Sequence, residues 1–406
     1  MFGLDPTHTA LLIFCLVLAC AFEFINGFHD TANAVATVIY TNSLKPWVAV
    51  VWSGIWNSIG VFAGGIAVAM GISNLLPAEV LTDTNISHNI ALILSLLLTA
   101  IAWNLGTWYY GIPCSSSHTL VGAILGVGMA YGLTADSPSL KYVNWSKAGD
   151  IGLSLLFSPL MGFSLAILLM YILKQFVKNK KIFKEPDTTK PPPLWIRAIL
   201  LITCTGVSFS HGSNDGQKGV GLMMLIMIAI VPGYFAIDQS KDINDYKQTL
   251  NGVKQIVTHV DVNQLHTADS FEFAKFNALL TGLDNEVNTA NSFVAMRDEQ
   301  QTEIRKDIIL LGKSAKKLLE SDDLNLSLRE KKELKAEINN LKSLTEYAPT
   351  WIIVLISLSL GIGTMVGWKR IVKTIGEKIG KQHLTYAQGA SSELVAASTI
   401  GVSTWL

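Results

Sequence analysis

Apolar runs of about twenty residues, the length a helix needs to cross a bilayer, recur along this chain with short polar stretches between them. They predict crossings at 9–25 (running on to about 40), 47–71, 89–110, 117–133 and 151–173, and again at 196–234, 349–367 and 386–406. The rhythm changes between the sixth and seventh. Over 301–320 and 326–346, Leu and Ile recur at helical spacing among charged residues, the signature of amphipathic helices in water. The pattern therefore predicts an all-α, polytopic membrane protein with a small helical soluble insert. Its segments are a first membrane repeat over 1–190, the start of a second over 191–237, the polar insert over 238–348, and the incomplete remainder of the second repeat over 349–406. The plainer reading of this insert is a solvated spacer that tethers the two halves.

Composition agrees with this pattern. Half of the 406 residues are apolar and 15% are charged, against roughly a quarter charged in an ordinary soluble domain. The insert alone carries 15 basic and 19 acidic side chains, more than half of the chain's charge. A single soluble globule, a secreted disulfide scaffold and a disordered chain are excluded. Net charge is zero, so no nucleic-acid partner is implied, and membrane lipid is the expected surrounding. Cys15, Cys20, Cys114 and Cys204 lie in or beside apolar stretches without metal-type spacing. The first 22 residues lack Lys and Arg, so the first run is expected to stay as a span. Lys174, Lys178, Lys180, Lys181, Lys184, Lys190 and Arg197 mark one short connection as cytoplasmic, and Lys369, Arg370, Lys373, Lys378 and Lys381 mark another. Loop 72–88, with Glu79, Asp83 and no basic residue, reads as outside. Lys190 to Pro193 reads as a stiff cytoplasmic linker.

Chemistry is expected where polar residues break these runs. Residues 22–36 read FEFINGFHDTANAVA, placing Asn26, Gly27, Asp30 and Asn33 on one helical face. An Asp at the bilayer centre costs at least ~2.5–3.5 kcal/mol, so it must face a cavity or a partner. Residues 207–221 read VSFSHGSNDGQKGVG. A shift of 185 positions lays Phe24 on Phe209, Gly27 on Gly212, Asp30 on Asp215 and Val35 on Val220, with Asn33 on Lys218. The loop charges make the two segments cross in opposite senses. This predicts inverted-topology repeats with broken helices, Gly27 unwinding the first, and a site at the repeat interface. A third break, Gly111 through His118, ends in Ser115, Ser116 and Ser117 after Pro113. Serine caps and free N–H groups at such a helix start suit an anion.

These same residues carry a family resemblance. NGFHDTANAVATVIYT (26–41) resembles the first signature of the PiT family of inorganic phosphate transporters, and SHGSNDGQKG (210–219) its second. The Pro-x-Ser-Ser-Ser-His step at 113–118 resembles the family's serine-rich re-entrant tip. EYAPTWII (346–353) and GIGTMVGWKR (361–370) fit as well. The likeness runs from about residue 9 to 406 and is nearest to the bacterial low-affinity branch, which has a similar insert. It implies a symporter of inorganic phosphate in the cytoplasmic (inner) membrane, coupled to protons in that branch and to sodium in others. Some relatives carry sulfate, and some carry phosphate as a neutral complex with a divalent metal. Assembly as a homo-oligomer stays open. Residues 397–406 align with 101–110, so the second serine tip would begin where this sequence stops. The chain is expected to be truncated at its C-terminus.

Under this reading no cofactor is needed beyond a coupling cation, proton or sodium. Asp30 and Asp215 hold that cation, with Glu23 beside it, or carry the proton themselves. An ionised Asp also accepts the hydrogen of a phosphate, which fully ionised sulfate lacks. Ser115, Ser116, Ser117 and nearby N–H groups grip the phosphate oxygens, and Asn26, Asn33, Asn214 and Gln217 fill the remaining contacts. His29, His118 and His211 sit at the three breaks as candidate proton relays, each equally readable as a structural hydrogen-bond partner. Lys218 either counters phosphate charge or, more ordinarily, snorkels or pairs with an acid. Glu393 has no assigned role. Trp47, Trp52, Trp103, Trp108 and Trp351 read as interface anchors, and Gly64, Gly65, Gly122, Gly126 and Gly128 as close-packing positions. Hydrolysis fits poorly: Ser117 and His118 are helix neighbours pointing apart, and no nucleophile turn is present. The non-enzyme alternatives are a sulfate or metal-phosphate carrier and a non-transporting remnant or sensor.

Overall fold

The computed structural model describes residues 2–66, 69–71, 86–134, 143, 145–187, 190–262, 265–321, 324–377 and 384–405. Most of loop 72–88 and the Lys378–Lys381 stretch lie outside them. Two compact units emerge, one of residues 4–226 with 348–406 and one of residues 227–347 with 1–3. Among the described residues the chain is helical, with no strand.

The first unit contains α1 (Pro6–Tyr40), α2 (Pro46–Ala63), α3 (Ile86–Tyr110), α4 (Ser116–Thr134), α5 (Trp145–Phe176) and α6 (Leu194–Ile230). The insert's helices are α7 (Pro232–Phe235), α8 (Ile243–Val257), α9 (Thr267–Asn288), α10 (Asp298–Glu320) and α11 (Leu328–Lys342). After it the first unit resumes with α12 (Thr350–Val366), α13 (Lys369–Glu377) and α14 (Tyr386–Trp405). Among the described residues, five helices (α1, α2, α3, α5 and α6) are long and apolar enough to cross a membrane, and α12 is a shorter apolar helix. The chain is an all-α, multi-pass membrane protein.

Local chemistry sets the helix ends. The Asp5 side chain accepts from the N–H groups of Thr7 (2.8 Å) and His8 (3.1 Å), and Pro6 opens α1 where no intrahelical donor is needed. Pro46 opens α2 in the same way. That helix stops at Ala63 rather than running on to 71, because Gly64 turns to an extended conformation. The break between α3 and α4 falls at 111–115, with Gly111 at φ 67°. The other two expected breaks are absent. α1 passes through Gly27 and Asp30 without interruption, and α6 passes through 207–221. Their glycines serve packing instead, and an unbroken helix leaves no backbone group unsatisfied in hydrocarbon.

That packing repeats itself between the halves. Gly27 on α1 lies against the Leu360 carbonyl on α12, and Gly212 on α6 lies against the Asn57 carbonyl on α2. The Phe24 carbonyl meets Gly363, and the Phe209 carbonyl meets Gly60. Thr31 donates to the Thr364 carbonyl (2.9 Å), while Gly216 abuts Val61. Each pair is reproduced by adding 185 on the α1 side and subtracting 303 on the α12 side. Partners one turn on rise together along α1 and α12, Gly27 on Leu360 then Thr31 on Thr364, and Phe24 on Gly363 then Phe28 on Gly367. They do so along α2 and α6 as well, where Trp52 donates to Thr205 and Ser53 pairs with Ser208, both at 2.8 Å. Between α2 and α12 the order reverses: Gly54 meets Gly361, and Ser58 donates to the Ser357 carbonyl (3.0 Å). α1 and α6 therefore run in opposite directions.

Two minor expectations are corrected here. Gly122, Gly126 and Gly65 face open space, so they bring no helices together. Trp52 and Trp108 spend their indole N–H groups inside the unit, the latter on the Gly367 carbonyl (2.7 Å), while Trp47 and Trp103 are exposed.

The insert has its own core of Leu250, Phe273, Phe276, Leu283, Ile304 and Leu311 among others, each worth about 1.5–3 kcal/mol when fully buried. Arg305 is buried within it. Its Nη1 donates to the carbonyls of Ala236 (3.0 Å) and Thr345 (2.8 Å), and burial pushes the guanidinium pKa down to about 10. At the start of α11, Ser327 and Glu330 form a reciprocal capping box. Bonds from the Ser327 hydroxyl and N–H, then from His259, hold the Glu330 carboxyl down at about 2.

Because that pKa lies below the free glutamate value, the cap's contribution is fully present above about 4.5 and is lost as pH falls toward about 2. Protection of the 327–331 amides should decline over that window while that of α9 holds. In thermal unfolding, Gly212→Ala should cost about 1–3 kcal/mol, since its methyl would strike the Asn57 backbone. Gly206→Ala, with only the Ala397 methyl 3.4 Å away, should be neutral or stabilising by up to about 1 kcal/mol. Equal losses would overturn this packing account.

Candidate functional site

Three- and four-residue spacing on α1 stacks Glu23, Asn26 and Asp30 on one side of the helix. Glu23 and Asn26 are fully buried. On α6 the same spacing stacks His211, Asp215 and Lys218, and Gly219 follows. The third wall is the start of α4, where Ser116 and Ser117 follow the bend at Gly111–Ser115.

These walls meet through their polar groups. The Asp30 and Asp215 carboxyls share a hydrogen bond, one from each of two antiparallel helices. Lys218 forms an ion pair with Asp215 and donates to the Ser117 hydroxyl (2.6 Å). The Ser116 hydroxyl donates to the Asn26 side-chain Oδ1, and the Asn26 side-chain amide donates to Glu23 Oε2 (3.2 Å). A methyl group on Gly219 would collide with the Glu23 carboxyl, so the absence of a side chain there is what admits Glu23 against α6.

Several polar atoms at this junction are shielded from solvent and hold no partner: Glu23 Oε1, Asp30 Oδ2 and His211 Nδ1. Buried polar groups are normally satisfied, and a cluster of exceptions marks a place where an ion, proton or water is taken up. Two carboxyls at hydrogen-bonding distance must hold a proton or a cation between them. The start of α4 adds the opposite preference. Its first N–H groups have no intrahelical partner and its dipole end is positive, so it favours an anion. Among the described residues, no three His, Cys, Asp or Glu side chains are gathered as a metal-ligating group.

Other candidates from the sequence lie elsewhere. His29 is buried but turns to α3, its Nε2 3.1 Å from the Asn104 carbonyl. His118 is exposed, and Ser115 caps α4, accepting from the His118 N–H (3.4 Å). Asn33 is exposed. Asn214 donates to Thr404 on α14 (3.1 Å), and Gln217 packs beside Gly64 on α2. Glu393 is buried on α14, accepting from Thr203 (2.5 Å). Lys218 and Gly219 are the participants that sequence reasoning undervalued. The i, i+3 spacing from Asp215 to Lys218 was the available signal.

The profile of the phosphate transporter family matches residues 26–406. A low-affinity inorganic phosphate transporter of Buchnera aphidicola (subsp. Acyrthosiphon pisum) is 38% identical, with 99% of this chain and 86% of the relative aligned. The low-affinity inorganic phosphate transporter PitA of Escherichia coli K12 is 36% identical over 99% of this chain and 87% of its own. A solved sodium-dependent phosphate transporter superposes with a TM-score of 0.51 at 16% identity, covering 97% of this chain and 84% of that one. That last likeness concerns the fold.

Proposed function

The chain belongs to the phosphate transporter family, and on that premise we propose that it is a secondary transporter, a symporter moving inorganic phosphate across the cytoplasmic membrane with a proton or another cation. The observation that carries this reading is the junction of Asp30 and Asp215 on antiparallel helices, beside a serine-tipped helix start. One group of side chains there wants a cation and the other an anion. Loading both together neutralises the site, while loading either alone leaves uncompensated charge in a low-dielectric setting. That difference is the physical basis of coupling. The names of the relatives support phosphate as the anion, and the solved structure's name fits a coupling cation.

In this mechanism Asp30 and Asp215 hold the cation or proton. Ser116, Ser117 and the first N–H groups of α4 bind phosphate oxygens, with Asn26 passing the Ser116 hydroxyl on to Glu23. A carboxylate accepting the phosphate hydrogen disfavours fully ionised sulfate. The mirrored glycine contacts support two inverted halves, which rock against each other to expose the site to each side in turn.

Proteoliposome uptake of radiolabelled phosphate tests the reading. Asp30→Asn and Asp215→Asn should each fall to the level of empty vesicles while inserting normally, and excess sulfate should not compete. Unchanged uptake in either variant would defeat the assignment. Sulfate competing as well as phosphate would favour the sulfate carrier, and an inert, well-folded wild-type chain would favour the non-transporting reading.

A further inference from the structure

The mirror relation between α1 and α6 is broken where Glu23 falls on Ser208, Asn26 on His211 and Asn33 on Lys218, and the last of these places a cation in the site. On α1 the residue three beyond the aspartate is Asn33, uncharged and exposed. On α6 the equivalent residue is Lys218, whose ammonium sits on the Asp215 carboxyl and the Ser117 hydroxyl with only 14% of its side chain exposed. A lysine lying between lipid-facing helices would be expected to extend toward water. This one turns inward.

We propose that Lys218 is a tethered counter-cation that permanently fills one of two mirror-related cation positions, so the site takes up one exchangeable cation fewer per phosphate than a site with asparagine in both halves. The proposal rests on the phosphate-transport reading of the same site. Around Lys218 stand Asp215, Asp30, Glu23 and His211. With His211 neutral, three carboxylates against one ammonium leave two negative charges to be met by protons or cations. Removing the ammonium raises that need to three. Lys218 cannot leave with the substrate, so the charge it supplies costs nothing from the ion gradient.

The same contact prepares the anion side. By donating to Ser117 Oγ, Lys218 occupies a lone pair of that hydroxyl and leaves its hydrogen free to point at a phosphate oxygen. Lys218 thus joins the cation half of the site to the serine tip, which makes it a positioning residue as well as a charge.

Calorimetric titration of the full chain in nanodiscs with inorganic phosphate, across a series of pH values and sodium concentrations, reads the cation count from the slope of affinity against cation activity. Lys218→Asn should steepen that slope by about one, so each tenfold fall in cation activity costs it a further tenfold in phosphate affinity relative to wild type. Lys218→Arg should keep the wild-type slope. Lys218→Gln, which keeps a longer uncharged stem, should steepen the slope as Lys218→Asn does and provides the test if Lys218→Asn fails to fold. A wild-type slope in these neutral variants, or a changed slope in Lys218→Arg, overturns the proposal. Absence of phosphate binding by wild type defeats the phosphate reading instead. The cation dependence of thermal unfolding, which needs no phosphate, then compares Lys218→Asn with wild type on the same count.

Discussion

Charge without a partner cannot rest in hydrocarbon, and that constraint organises the membrane unit. Glu23, Asp30 and Asp215 are drawn into one region by helices that would otherwise have no reason to place acids at membrane depth. Lys218 answers part of their charge from within the chain. What remains unanswered makes the site demand something from outside. The electrostatic deficit and the transport function are two descriptions of one arrangement.

Holding carboxyls together requires the backbones behind them to come close, and glycine makes that approach possible. Gly27 and Gly363 join α1 to α12, Gly60 and Gly212 join α2 to α6, and Gly54 and Gly361 join the two pairs. A methyl group at Gly27, Gly363, Gly60 or Gly212 would meet backbone, at Gly361 the half-buried Ser58 hydroxyl, and at Gly54 the Met365 side chain and the Gly361 carbonyl. The result is a stiff cross-braced frame. Its helix starts and side chains, rather than unwound backbone, form the candidate site.

Much of this was readable before any coordinates. Acid at the same offset from glycine and phenylalanine in two apolar runs pointed to Asp30 and Asp215. Serines after Pro113 pointed to the start of α4. What failed was the meaning given to Gly27 and Gly212. A glycine in an apolar run permits either unwinding or close approach, and only the partner helix, hundreds of residues away in sequence, decides between them. Spacing alone did not tell where Asn214, Gln217 and His29 would lie: Asn214 reaches α14, Gln217 packs beside Gly64 on α2, and His29 takes the structural reading against α3. Gly219 gave no signal at all, because its role is to be empty where Glu23 lies.

The double donation by Arg305 bears on how the insert is closed. One guanidinium nitrogen grips the carbonyls of Ala236 and Thr345, so the polypeptide departs and comes back at a single point. An excursion of more than a hundred residues is thereby made topologically equivalent to a tight hairpin. The two ends of the insert are thus fixed to each other by contacts made inside the insert itself.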